Sequence, residues 1–155
     1  MKERGYVIRG IYETHLQGSN LEQSVRFYES LGLVIDYISK RRRIAFIVFN
    51  KYSEHETMLG LWEIKSDEQL SKRHIAFNVS LEDLLKAKEW LAERGIESKA
   101  VFGRDGSEPI VHASDPAAAI YFNDPDGNEL EFYARIPGES RVVVSTAFLS
   151  EWNNS

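Results

Sequence analysis

The stretch Tyr121-Phe122-Asn123-Asp124-Pro125-Asp126-Gly127-Asn128-Glu129-Leu130-Glu131-Phe132 decides the fold that this chain predicts. Its centre, Asp124-Pro125-Asp126-Gly127, has the residues of a type I turn, with proline second and glycine fourth. Runs rich in β-forming residues lie on both sides of it, at residues 118–123 and 129–134. The stretch therefore predicts two strands joined by a tight turn.

The residues before this hairpin predict a strand, a helix and a further strand. Residues 74–79 are expected to form a strand, and Ser80 is the expected cap of a helix that Gly95 ends. The apolar residues of that helix recur at helical spacing, and they are Leu81, Leu84, Leu85, Ala87, Trp90 and Leu91. Residues 97–102 are expected to be a strand, and residues 103–116 a long loop.

The same order of elements is predicted earlier in the chain. Residues 6–16 are expected to form a strand, and a helix follows that Asn20 caps and Gly32 ends. Three further strands are expected, at residues 34–39, 44–50 and 57–64. A half of this size cannot bury a sheet face alone, whereas two paired halves can.

We therefore predict an α+β fold, with two tandem βαβββ modules whose curved mixed sheets surround a central cavity. The modules are expected at residues 6–64 and 73–136, with a linker at 65–72 and a C-terminal tail at 137–155. Within the tail, a strand over residues 142–144 and a short helix over residues 146–152 are the expected elements.

Composition limits the function. The 155 residues include no cysteine, so disulfides and thiolate metal sites are excluded, and any metal must be held by nitrogen and oxygen. The net charge of −5 gives no support to nucleic-acid binding. The start of the chain lacks the apolar run of a secretory signal, and no run reaches membrane-spanning length. We expect a cytoplasmic protein with no membrane partner.

Four polar residues lie in predicted strands where apolar residues would be ordinary: Glu13, His15, His74 and Glu131. Glu13 and His15 are two residues apart and therefore point to the same face, whereas Glu131 faces away from its neighbours in the strand. Two imidazoles and two carboxylates from separate strands suit Zn²⁺, Mn²⁺, Fe²⁺, Ni²⁺ or Co²⁺. The pattern indicates one divalent-metal site if the four side chains converge.

The chain resembles the vicinal-oxygen-chelate superfamily, which contains glyoxalase I, extradiol dioxygenases and bleomycin-resistance proteins. The motifs that carry the resemblance are Asn20-Leu21-Glu22-Gln23-Ser24 with Phe27-Tyr28 and Leu31-Gly32-Leu33, His74-Ile75-Ala76-Phe77, and the stretch from Tyr121 to Phe132. The resemblance implies metal ligands at His74 and Glu131. It places the first-strand ligand at Glu13, with His15 further along the same face, so either or both can bind. The fourth ligand position falls on Gly60, which cannot ligate.

The resemblance implies two functions. The first is a metal-dependent enzyme, a glyoxalase-like lyase or an extradiol-type dioxygenase, in which Glu13 or His15 moves a proton. The second is a protein that binds a drug or metabolite without turnover. Phe46, Trp62 and His112 are the candidate substrate-binding residues. Phe46 and Trp62 can equally pack against the first helix, and His112 can equally be a solvated loop residue. A small-molecule substrate and a homodimer are expected.

Overall fold

The computed structural model describes residues 8–142 and 146–153. The chain divides into two compact units, Met1–Leu70 and Ser71–Ser155. In the described residues, each unit has a mixed β-sheet with an α-helix packed on one face. The predicted α+β fold with two mixed sheets is confirmed.

In the first unit, the elements follow the order βαβββ. They are β1 (Glu13–Gly18), α1 (Leu21–Ser30), β2 (Ile35–Ser39), β3 (Ile44–Phe49) and β4 (Thr57–Glu63). Their sheet has the order β1-β4-β3-β2, with β1 parallel to β4 and the other pairs antiparallel. The first strand begins later than predicted, because residues 8–12 lie outside the sheet.

Helix α1 begins and ends where the sequence predicts. The side chain of Asn20 accepts a hydrogen bond from the Gln23 N–H at 2.8 Å, and this satisfies one of the free N–H groups of the first turn. At the other end, Gly32 adopts a φ of 78°, in the left-handed region that glycine enters without a steric penalty. Leu21 and Tyr28 are buried on the face toward the sheet.

The second unit has the same order, with two elements added at its end. They are β5 (His74–Asn78), α2 (Leu81–Ala92), β6 (Ile110–His112), β7 (Ala117–Asn123), β8 (Glu129–Arg135), β9 (Ala147–Phe148) and α3 (Leu149–Asn153). Among the described residues, the sheet has the order β5-β8-β7-β6-β9, and β5 runs parallel to β8. Ser80 caps α2 as predicted, accepting from the Asp83 N–H at 3.0 Å.

Two predictions for the middle of this unit are wrong. Residues 97–102 contain no strand, and the strand that pairs with β7 is β6, inside the segment predicted as a loop. Backbone pairing explains the difference. The Lys99 N–H makes one bond to the Tyr121 carbonyl, and the chain then turns so that Val101 and Arg104 bond each other. The edge of β7 is covered mainly by β6.

In the tail, the short helix is α3, which begins at Leu149, and the strand is β9. Of the strand predicted over residues 142–144, Val142 lies outside any strand and the other two residues lie outside the described residues. Within residues 8–142 and 146–153, no helix has the length and apolar character needed to cross a membrane.

Candidate metal and substrate site

His74 and Glu131 lie on neighbouring strands of the second unit, with their side chains on one face. The register pairs His74 with Glu129 and Ala76 with Glu131, so these four residues point to the same side of the sheet. Nε2 of His74 is 3.6 Å from Oε1 of Glu131. The His74 side chain is 47% exposed and that of Glu131 only 8%. The opposite face, which carries Leu130, packs on α2.

The second carboxylate oxygen of Glu131, Oε2, is buried and has no hydrogen-bond partner among the residues that the structure describes. Burial of a carboxylate oxygen without a donor or a cation is costly. A positively charged ligand at this oxygen would offset that cost.

Tyr121 is the cross-strand partner of Glu131 on β7. Burial, together with the nearby negative charge of Glu131, raises the pKa of the Tyr121 hydroxyl well above its ordinary value. The hydroxyl therefore stays protonated and can donate. Its oxygen is 2.9 Å from Nε2 of His112. The view of His112 as a solvated loop residue is wrong, because it lies on β6 and is part-buried.

Glu129 also contacts His74, and the sequence analysis missed it. Its Oε1 is 3.2 Å from Nδ1 of His74, and its Oε2 is 2.5 Å from Nζ of Lys99. The hydrogen bond from Lys99 lowers the pKa of the Glu129 carboxyl. The alternation of side chains along a strand could have identified Glu129, because Glu129 and Glu131 are two residues apart and therefore share a face.

In the first unit, Glu13 and His15 form a close pair on β1. Nε2 of His15 is 2.5 Å from Oε1 of Glu13, and both side chains are more than one-third exposed. The imidazole lies beside two aromatic rings, with ring centroids 5.0 Å away for Trp62 and 6.2 Å away for Phe46. The register places His15, Phe46 and Trp62 on one face.

Gly60 is the β4 residue directly across from His15. A Cβ built on Gly60 would stand 2.5 Å from Cδ2 of His15 and 2.9 Å from Nε1 of Trp62, far inside van der Waals contact. The absence of a side chain at position 60 therefore makes room for both rings. The Trp62 Nε1 is buried and has no hydrogen-bond acceptor in the described part of the chain.

The basic run Lys40-Arg41-Arg42-Arg43 joins β2 to β3, and its last residue has a structural role. Arg43 bonds both oxygens of Glu22, at 2.7 and 2.6 Å, and also bonds Glu63, whose Oε2 accepts the N–H of Leu21. Arg43 thus ties β3 and β4 to the start of α1. The guanidinium of Arg42 lies 5.7 Å from the centre of the Trp62 ring.

Within the first unit Glu13 lies beside His15, and within the second unit His74 lies beside Glu129 and Glu131. Nitrogen and carboxylate oxygen donors are the chemistry that Zn²⁺, Mn²⁺ and Fe²⁺ accept, and the buried, unpaired Oε2 of Glu131 fits a cation. Over residues 8–142 and 146–153, no three histidine or carboxylate side chains are clustered as a metal site.

The chain matches the model of a known family. The family model of the Glyoxalase/Bleomycin resistance protein/Dioxygenase superfamily matches residues 10–132, which is most of the chain. The chain belongs to this superfamily.

Individual relatives are matched over nearly their whole length. A lactoylglutathione lyase from Neisseria meningitidis is 29% identical over 146 residues, which cover 88% of this chain and 99% of that protein. Among solved structures, an integron cassette protein from the metagenome of the Halifax Harbour sewage outfall is 29% identical, with a TM-score of 0.68, and the match covers 82% and 99% of the two chains. A glyoxalase/bleomycin resistance protein/dioxygenase from Nocardioides, at 24% identity, has a TM-score of 0.62 over 92% and 93% and shares the fold.

Proposed function

We propose that this protein is a divalent-metal-dependent enzyme of the glyoxalase and dioxygenase type, acting on a small substrate that chelates through oxygen. The observation that carries the proposal is the buried Oε2 of Glu131, which has no hydrogen-bond partner among the described residues. A bound cation supplies the partner that this oxygen lacks. Membership of the superfamily supports the same reading.

His74 and Glu131 are the residues that would hold the metal in the second unit, and Glu13, His15 or both are the candidate ligands in the first. When bound, a divalent ion of this kind polarises the substrate's oxygens as a Lewis acid. The glycine at position 60 supplies no ligand, so the proposed donor set leaves coordination positions for substrate.

The Glu13–His15 pair is the candidate proton carrier. The Glu13 carboxylate, bonded to one nitrogen of the His15 ring, keeps that ring oriented. Such a pair can take a proton from a substrate carbon and return it to another atom. Either residue that does not serve as a ligand is available for this step.

Substrate contacts are proposed for Trp62, Phe46 and His112. The Nε1–H of Trp62 is a buried donor with no acceptor in the described residues, so a substrate oxygen would satisfy it. Phe46 adds an apolar surface beside His15. His112 would contact the substrate beside the Tyr121 hydroxyl, whose oxygen is 2.9 Å from its Nε2.

Lyase chemistry is the first reaction to test, because a relative matched over 99% of its length is a lactoylglutathione lyase. Purified protein would be stripped of metal, loaded separately with Zn²⁺, Ni²⁺, Mn²⁺ or Fe²⁺, and assayed for lactoylglutathione formation and for oxygen uptake with a catechol. Metal-dependent turnover in either assay that Glu131→Gln abolishes supports the proposal. Equal background rates for the wild type and the variant, with every metal, would contradict it.

A binding protein without turnover is the second candidate. It is favoured by one observation, the aromatic pair Phe46 and Trp62 beside a position 60 that supplies no ligand. Calorimetry with planar aromatic compounds on the metal-free protein separates the two. Tight binding that Trp62→Ala removes and metal leaves unchanged would favour the binding protein.

A further inference from the structure

The two nitrogens of the His74 ring face different carboxylates. Nδ1 lies 3.2 Å from Oε1 of Glu129, within hydrogen-bond distance, whereas Nε2 lies 3.6 Å from Oε1 of Glu131. The parallel register of β5 and β8 creates this arrangement, because it sets His74 directly opposite Glu129 and two residues before the position opposite Glu131.

Glu129 is itself held in place. Its other oxygen, Oε2, is 2.5 Å from Nζ of Lys99. The backbone of Lys99 is fixed in turn, because its N–H donates to the carbonyl of Tyr121 at 2.8 Å. Both side chains of the Glu129–Lys99 pair are about one-third exposed, at 36% and 33%. One carboxylate thus bridges an ammonium group and an imidazole.

A neutral imidazole carries one proton, and the hydrogen bond at one nitrogen decides where that proton lies. A carboxylate at Nδ1 accepts the Nδ1 proton, which leaves the lone pair on Nε2. In histidines that bind metal, a carboxylate on the far nitrogen commonly fixes the tautomer and the orientation of the ring.

We infer that Glu129, held by Lys99, is a positioning residue that keeps the proton of His74 on Nδ1 and directs Nε2, on the side of Glu131, toward a metal ion. The inference rests on the proposed function for its metal. It assigns distinct tasks to two carboxylates of one strand: Glu131 binds, and Glu129 orients. It also explains an exposed histidine in contact with two acidic side chains.

The tautomer of His74 tests the inference without metal. Long-range ¹H–¹⁵N spectra of the metal-free protein would be recorded at alkaline pH, where histidine is neutral, with the His74 signals assigned through His74→Asn. We expect the Nδ1–H form in the wild type. Glu129→Ala should move His74 toward the Nε2–H form, Lys99→Met should produce a smaller shift in the same direction, and Glu129→Gln, which retains an acceptor oxygen, should partly preserve the wild-type form.

Glu82→Ala is the matched control, because it removes a carboxylate from an exposed pair with Lys86 in the same unit. It should leave the His74 signals unchanged. Titration with Zn²⁺ gives the second readout, in which Glu129→Ala should weaken binding by about 10- to 100-fold. If the His74 tautomer is the same in the wild type and in both Glu129 variants, the inference is overturned and the proposed function is not. A wild type that binds no metal would instead overturn the proposed function, so the two failures are distinguishable.

Discussion

The imidazole of His15 fills the space that a side chain on Gly60 would occupy. The two residues are paired across β1 and β4, and Cδ2 of His15 is 2.5 Å from the position of a Cβ on Gly60. Position 60 is also where the family resemblance places a metal ligand. The missing side chain on β4 and the histidine on β1 are therefore linked. The His15 ring occupies the space beside Gly60, a position that offers no metal ligand.

The first prediction is that Gly60→Ala displaces His15. The added methyl group overlaps the ring, so we expect destabilisation of about 1–3 kcal/mol and a changed chemical shift for His15. Urea unfolding and histidine NMR measure the two effects. In a His15→Ala background the same substitution should cost clearly less, and Gly10→Ala, where a Cβ meets nothing within 4 Å, is the control. Equal costs in both backgrounds would contradict the steric account.

The second prediction concerns the buried carboxylate of Glu131. Glu131→Met removes an oxygen that has no partner among the described residues, so the metal-free protein should gain about 1 kcal/mol of stability or lose none. The variant should also lose the stabilisation that added metal gives the wild type, which amounts to about 2.7 kcal/mol at 100 times the dissociation constant. Thermal unfolding with and without Zn²⁺ measures both. Strong destabilisation of the metal-free variant would argue for a structural role.

The third prediction is a pH dependence carried by Arg43. Its hydrogen bonds lower the pKa of Glu22 to about 2, from an ordinary value of 4.5, and also lower that of Glu63. Because the unfolded carboxylates take up protons first, the stabilisation is complete above pH 4.5 and is lost as the pH falls toward 2. The difference in unfolding free energy between the wild type and Arg43→Met should therefore shrink over that range.

The control for this experiment is Lys86→Met, which removes an exposed pair with Glu82 on α2. Its difference from the wild type should be small throughout, since exposed pairs contribute little. A difference for Arg43→Met that stays constant from pH 5 to 2 would mean that packing, and not the ion pairs, is lost.

The fourth prediction concerns Asn128, which joins the starts of β8 and β5. Its Nδ2 donates to Oδ2 of Asp124 at 2.7 Å, and its Oδ1 accepts the N–H of Arg73 at 2.8 Å. The side chain is fully buried, so Asn128→Leu should cost about 2–4 kcal/mol. Asn123→Ala, at an exposed amide, should cost no more than about 0.5 kcal/mol. Chemical denaturation measures the unfolding free energy of both variants. Similar losses in the two would contradict the view that the buried hydrogen bonds of Asn128 stabilise the fold.

Local rules predicted much of the fold. The caps Asn20 and Ser80 and the stop at Gly32 depend on neighbouring residues alone, and the structure has each of them where it was predicted. Strand β6 could not be found in this way, because its three residues become a strand only by pairing with β7 and β9.

The candidate site could likewise be predicted only where local patterns decide the placement of a residue. Periodicity was sufficient to put Glu13 with His15 on one face. The contacts of His74 with Glu129 and of His15 with Gly60 depend on strand register, which the sequence does not specify. The roles assigned to these residues remain predictions that metal binding can test.

The most direct test of the metal proposal is the metal content of the purified protein, measured by elemental analysis without chelators and again after loading with Zn²⁺, Mn²⁺, Ni²⁺ or Fe²⁺. We expect about one divalent ion per wild-type chain. We expect little or none in His74→Ala and Glu131→Ala, with wild-type content in Glu82→Ala. Equal and negligible metal in the wild type and both site variants, before and after loading, would contradict it.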